Sequence, residues 1–125
     1  MVSGTDILLI EDEPNIAEAV RFILTRDGWR LDHWSEGGQA LARITQLRPR
    51  LVILDVMLPA QSGLEVLAAL RAHPDIAATP VLMLTARGST GRGAITAEGA
   101  DRVMAKPFDN DDLRRAVSEM LGQPA

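Results

Sequence analysis

The sequence predicts an α/β domain, a parallel sheet of five strands with helices on both faces. Two observations carry that expectation. Short continuous apolar runs, Ile7-Leu8-Leu9-Ile10, Leu51-Val52-Ile53-Leu54 and Val81-Leu82-Met83-Leu84, lack the polar alternation of half-exposed strands and suit strands buried on both faces. Segments with apolar residues at spacings of three and four alternate with these runs. A strand-helix order repeated along one chain implies right-handed crossovers within one sheet.

Each element has its own signature. After the first run, residues 14–26 place Ile16, Ala19, Val20, Ile23 and Leu24 on one helical face, with Pro14 in the first turn. A weaker strand is predicted at 30–34. A helix over 37–47 carries Ala40, Leu41, Ile44 and Leu47, and one over 63–72 carries Leu64, Val66, Leu67 and Leu70. A second weak strand is predicted at 102–105. Asp109 or Asn110 caps a last helix holding Leu113, Ala116, Val117, Met120 and Leu121, stopped by Gly122 and Pro124. Residues 87–99 hold four glycines, each costing a helix interior about 1 kcal/mol relative to Ala. A short or mobile helix is expected there.

Composition narrows the class. With 125 residues, one domain is expected, spanning 1–125 with a core at about 5–121. The chain is 46% apolar and 24% charged, so it is globular and not disordered. Its 17 acids against 13 bases give a net charge of −4, which argues against direct nucleic-acid binding. The apolar runs fall well short of the ~20 residues of a membrane helix. With no signal peptide and no cysteine, a soluble cytoplasmic protein without disulfides or thiolate metal sites is expected.

The chemistry is expected where strands end. Ile10 is followed by Glu11-Asp12-Glu13, Leu54 by Asp55, Leu84 by Thr85 and Ala105 by Lys106-Pro107. In an open parallel sheet all these termini lie along one edge, where ligands bind. Three carboxylates gathered there repel unless a cation sits among them. Oxygen ligands without His or Cys select a hard ion, and Mg²⁺ suits a site shared with a phosphoryl group. A carboxylate beside Mg²⁺, an ammonium and a hydroxyl is the equipment for phosphoryl transfer onto aspartate. Asp55 is the best nucleophile, following the central apolar run and opening a turn-rich loop. Lys106 is the single Lys among the 13 cations.

Taken in order, Leu9-Ile10-Glu11-Asp12-Glu13, Leu54-Asp55-Val56-Met57-Leu58-Pro59 with Ser62-Gly63, Leu84-Thr85-Ala86-Arg87 and Lys106-Pro107-Phe108 make a strong signal. Over essentially its whole length the chain resembles a receiver domain of bacterial two-component response regulators. That resemblance implies a flavodoxin-like, doubly wound (βα)5 fold with strand order 2-1-3-4-5. It implies a signalling switch that catalyses only its own phosphorylation and dephosphorylation. The phosphoryl group would pass from a sensor histidine kinase or histidine phosphotransfer protein to Asp55. Asp12, Asp55 and the Met57 carbonyl would bind Mg²⁺ directly, and Glu11 would act through water. Thr85 would follow the phosphoryl group, Lys106 would pair with it, and Pro107 would carry a cis peptide bond.

The chain departs from the family in three ways. Val103 stands three positions before Lys106, where the family has an aromatic switch residue. The stretch from Thr85 to Lys106 is glycine-rich and slightly short. No output domain follows Leu121, so a stand-alone receiver or phosphorelay carrier is expected, monomeric or weakly dimeric, with an unknown downstream protein target. The first two departures support an alternative, a pseudo-receiver that binds partners without phosphate. A haloacid-dehalogenase-like phosphatase would need a second Asp where Met57 stands, and FMN binding lacks a phosphate loop.

Other polar residues are assigned ordinary roles. Asp6, Asp27, Asp32 and Asp75 are expected as solvated surface charges, and Glu13 as a first-turn helix charge. His33 and His73 are isolated and expected to be neither metal ligands nor phosphocarriers. Trp29 and Trp34 are packing residues near the second strand, and Gly63 supplies a turn and helix entry.

Overall fold

A computed structural model of the chain describes residues 4–85 and 99–122. The elements run β1 (Ile7–Ile10), α1 (Pro14–Arg26), β2 (Leu31–Trp34), α2 (Ala40–Leu47), β3 (Leu51–Asp55), α3 (Gly63–Ala72), β4 (Val81–Thr85), β5 (Arg102–Ala105) and α4 (Asn110–Leu121). All five strands are parallel in the order β2-β1-β3-β4-β5, as expected. The helix expected over 87–99 falls outside the described residues except for Gly99.

The apolar strands divide their side chains between two cores. On one face Ile7, Leu9, Ile53, Leu82 and Leu84 meet Val20 and Leu24 of α1 and Leu113 and Val117 of α4. On the other, Leu8, Ile10, Val52, Leu54 and Met83 meet Ile44 of α2 and Val66, Leu67 and Leu70 of α3. Each fully buried Leu or Ile contributes roughly 1.5–3 kcal/mol, so β1, β3 and β4 form a rigid frame. The outer strands β2 and β5 are half-buried to exposed.

The helix ends follow local chemistry. Ser62 and Glu65 form a capping box on α3, with Ser62 Oγ accepting from Glu65 N at 3.2 Å and Ser62 N donating to Glu65 Oε1 at 3.0 Å. Asp109 caps α4 by accepting from Asp111 N at 2.9 Å, and Gly122 ends it at φ 85°. Glu13 is the N-cap of α1, accepting from Asn15 N, and not the first-turn charge expected.

Helix α2 begins at Ala40, three residues later than 37–47 predicts. Gly37 instead belongs to a loop, where its N–H donates to Pro59 O at 3.0 Å and an added Cβ would fall 1.8 Å from Gln61 O. The apolar spacing that predicts the helix begins only at Ala40, and the glycine before it serves close backbone approach.

Asp6 is the clearest correction among the acids. It is 1% exposed, not a solvated surface charge. Its Oδ2 accepts from Arg30 N at 2.9 Å and its Oδ1 from Arg30 Nη2 at 3.2 Å, with Arg50 Nη1 3.7 Å away. Its main-chain oxygen accepts from Arg50 N and Leu51 N. Asp6 thus ties together the starts of β1, β2 and β3. Asp27 is half-buried and paired with Arg114 at 2.9 Å, and half-buried Asp32 accepts from Thr5 Oγ1. Asp75 is exposed as expected.

Candidate functional site

Strand register builds the site. Ile10 lies beside Leu54, Asp55 beside Leu84, and Thr85 beside Ala105, so the residues at and just beyond these ends share one edge. Lys106 N donates to Thr85 O at 2.8 Å, extending that alignment past β5. Glu11, Asp12 and Asp55 converge with carboxylate oxygens all within 4.8 Å of one another. Glu11 and Asp55 are buried while Asp12 is exposed. One member of the cluster therefore faces solvent and two are fixed in protein.

Lys106 bridges the buried pair. Its Nζ lies 3.1 Å from Glu11 Oε1 and 3.1 Å from Asp55 Oδ2. Asp55 Oδ1 accepts from Met57 N at 3.2 Å. Glu11 Oε2 accepts from Glu13 N at 3.0 Å. Three carboxylates against one ammonium leave negative charge uncompensated. The consequence falls on Glu11, whose pKa is pushed up to about 7, chiefly by burial, with the Glu13 N–H opposing and the Asp55 charge reinforcing the rise. Burial works against the Lys106 charge, yet hydrogen bonds to Asp55 and Glu11 outweigh it and hold that pKa above its ordinary value.

Thr85 completes the edge in an unusual state. It is 1% exposed, and its Oγ1 has no hydrogen-bond partner among the described residues. A buried hydroxyl without a partner costs about 1–3 kcal/mol, and an oxygen-rich ligand beside it relieves that cost. The donor set fits Mg²⁺ for the same reasons: all oxygen, no His or Cys, and excess negative charge. The Lys106–Pro107 peptide is cis, as the resemblance implied.

All the predicted side chains of the site are thus brought to one edge, and the main chain of Met57 lies beside the Asp55 carboxylate through its N–H. Two contributors were not read from the sequence as site residues. An added Cβ on Gly63 would sit 2.0 Å from Asp55 O, so this glycine lets α3 start directly against the main chain of Asp55. The signal was the motif Ser62-Gly63 itself, whose reading as a turn and helix entry holds, since α3 begins at Gly63. The Nε2 of His33 lies 2.8 Å from Glu11 O. His33 thus touches the main chain that carries two of the clustered acids, Glu11 and Asp12.

Comparison with known proteins agrees with this geometry. Residues 7–118 match the model of the response regulator receiver domain. The chain is 38% identical over 118 residues to the phosphate regulon transcriptional regulatory protein PhoB of Rhizobium meliloti, covering 92% of this chain and 51% of that one. It is 44% identical over 113 residues to the transcriptional regulatory protein TcrA of Mycobacterium tuberculosis, covering 90% of this chain and 44% of that one. The chain therefore spans about half the length of the curated relatives it matches. Among solved structures, the receiver domain of the Pseudomonas aeruginosa sensor histidine kinase PA1611 superposes with a TM-score of 0.86 at 28% identity, covering 96% of this chain and 99% of that one. That structure holds a magnesium ion coordinated in its active-site cleft. The chemotaxis response regulator CheY4 of Vibrio cholerae gives a TM-score of 0.84 at 27% identity, covering 94% and 98%. Among the described residues no helix is long and apolar enough to cross a membrane. The chain belongs to the response regulator receiver domain family of two-component systems.

Proposed function

We propose that residues 1–125 form one receiver domain that accepts a phosphoryl group on Asp55 and relays that event through protein contacts. The observation that carries this reading is the buried Asp55 carboxylate held 3.1 Å from Lys106 and within 4.8 Å of Glu11 and Asp12 oxygens. The donor would be a sensor histidine kinase or a histidine phosphotransfer protein. One Asp55 oxygen attacks phosphorus and a P–O bond forms. The P–N bond of the donor phosphohistidine breaks, and its electron pair leaves on the imidazole nitrogen, which takes up a proton. Lys106 donates to the phosphoryl oxygens as it shifts from the carboxylate pair, and the Thr85 hydroxyl finds there the acceptor it otherwise lacks. Asp12, Asp55 and the Met57 carbonyl would hold Mg²⁺, with Glu11 reaching it through water. When bound, the ion supplies neutralisation of the carboxylates and of the incoming phosphoryl charge.

The names of the relatives describe transcriptional regulators twice the length of this chain. For this chain we propose a downstream protein as the direct output partner, without direct nucleic-acid contact, in the cytoplasm. A second reading rests on Val103. It is 45% exposed on β5 and, being valine, offers no aromatic ring to turn inward on phosphorylation. That favours a receiver used as a phosphate-independent interaction module.

One experiment separates the readings. Incubation with Mg²⁺ and acetyl phosphate is expected to add one phosphoryl group by intact mass, and Asp55→Asn or chelation of the metal abolishes the gain. No mass gain in the wild type, with an amide spectrum unchanged by Mg²⁺ and beryllofluoride, establishes the interaction module instead.

A further inference from the structure

Glu11 and Asp12 are adjacent, yet their side chains are held differently. Glu11 is fixed by Lys106 Nζ at 3.1 Å and Glu13 N at 3.0 Å. Among the described residues the Asp12 carboxylate is held by no hydrogen bond or ion pair. The main chain alone therefore sets where the Asp12 side chain starts and the direction in which it leaves the backbone. That main chain is the peptide joining Glu11 to Asp12, just beyond the last residue of β1.

Both polar groups of Glu11's main chain are held from β2. Glu11 N donates to Trp34 O at 3.0 Å, the final rung between these strands. Strand β2 ends at Trp34, so no further strand residue is in register to donate to Glu11 O. A buried carbonyl left unpaired is costly. The ring of His33, opposite Leu9 in the parallel register, reaches forward and meets Glu11 O through Nε2 at 2.8 Å. A carbonyl only accepts, so Nε2 carries the proton. His33 lines an open cavity together with Pro14, Ala17, Glu18 and Arg21 of α1, so the hydrogen bond to Glu11 O is what holds the ring in place.

We propose that His33 is a positioning residue for the metal pair: its Nε2–H takes the place of the missing rung and fixes the plane of the Glu11–Asp12 peptide. Asp12 then projects toward Asp55 without needing a side-chain partner of its own. This inference rests on the reading of Glu11, Asp12 and Asp55 as a Mg²⁺ site. Groups that orient metal ligands from behind commonly change affinity 10–100-fold when removed.

The test measures Mg²⁺ affinity at pH 8 by tryptophan fluorescence and by isothermal titration, in full-length wild type, His33→Leu and His33→Gln. Removing the donor with Leu is expected to raise the Kd roughly tenfold. Gln carries an amide N–H at a similar reach and is expected to restore affinity to within about twofold of wild type. A purely packing role predicts the opposite ranking, because Leu fills the apolar side of the site better than Gln. If wild type binds Mg²⁺ and His33→Leu binds it equally well, the inference fails while the metal site stands. If wild type itself binds no Mg²⁺, the metal site fails first. Should His33→Leu not fold, ring ¹⁵N shifts of wild-type His33 decide the matter: a proton on Nε2 with and without Mg²⁺ is expected, and a proton resident on Nδ1 overturns the proposal.

Discussion

Strand β1 is flanked by two buried carboxylates with opposite fates. Asp6 precedes it, at the edge where the strands start, and Glu11 follows it, where they end. Burial disfavours the charge on both, but hydrogen bonds and the nearby charges of Arg30 and Arg50 outweigh burial at Asp6 and hold its pKa below the ordinary carboxylate value. At Glu11 burial prevails, with Asp55 adding to it, and the pKa rises to about 7. One edge is satisfied as it stands, while the other carries repulsion and an orphaned Thr85 hydroxyl. Electrostatic cost left in place at one edge of an otherwise well-packed sheet marks where a ligand is expected to bind.

Glycine substitutions test the packing half of this contrast and have the largest expected effect. Gly63→Ala puts a Cβ 2.0 Å from Asp55 O and 2.9 Å from Val56 Cα, both main-chain atoms that cannot step aside. It is expected to cost about 3 kcal/mol in urea unfolding and to lower phosphoryl incorporation. At the opposite edge Gly122→Ala meets no atom within 4 Å among the described residues, and only its φ of 85° resists the new side chain. About 1 kcal/mol is expected there. Equal costs at the two positions would contradict the close approach of α3 to Asp55.

Asp6→Ala comes next. It removes charge-assisted hydrogen bonds to a main-chain N–H and a guanidinium, and about 2 kcal/mol of stability is expected to go with them. Because the folded pKa of Asp6 lies below the unfolded one, its contribution is complete above pH of about 4 and fades as pH falls toward the folded value. The stability gap between wild type and Asp6→Asn should narrow under acid. A gap constant from pH 7 to 3 would show that charge is not what Asp6 supplies.

The two acids also show what was legible in the sequence. The buried runs of β1, β3 and β4 gave the sheet, and what followed each run gave Glu11, Asp12, Asp55, Thr85 and Lys106, because strand ends in a parallel sheet must align. Asp6 was misread since its partners Arg30 and Arg50 are 24 and 44 residues away and carry no local pattern. The start of α2 was misplaced because Gly37 answers to a main-chain oxygen of Gln61 in another loop. His33 escaped although the end of β2 at Trp34 was read correctly, because its partner is a main-chain oxygen 22 residues away that leaves no mark in the local pattern. Local signals named the elements, and contacts between distant segments decided the exceptions.

Glu11→Gln addresses the unsatisfied edge directly. Without metal, the wild-type folded state binds the Glu11 proton more tightly than the unfolded chain does, so wild type loses stability as pH rises from about 4.5 to about 7. The Gln variant lacks this titration. At pH 8 in chelator it is expected to be more stable than wild type by on the order of 1 kcal/mol, and the difference shrinks or reverses at pH 5. Saturating Mg²⁺ should favour wild type at pH 8. Parallel thermal-denaturation profiles for the two proteins across pH 5 to 8 would mean that Glu11 is no reservoir of cost.

The smallest effect concerns the main chain beside the site. Ala60, in the loop between Asp55 and α3, sits at φ 71°, a left-handed conformation that its Cβ resists. Its Cβ also lies 3.2 Å from where one on Gly38 would be, so the loops before α2 and α3 meet at this methyl. Ala60→Gly relieves the left-handed strain but frees the unfolded chain, and the two largely offset. A net gain of about 0.5 kcal/mol is expected. If the strain serves to hold the loop that Asp55 opens, the same variant should broaden the amide signals of residues 57–61 while raising the urea midpoint. A higher midpoint with unchanged line widths would make Ala60 a plain defect, and cost at this edge would then reside in the charges and the Thr85 hydroxyl.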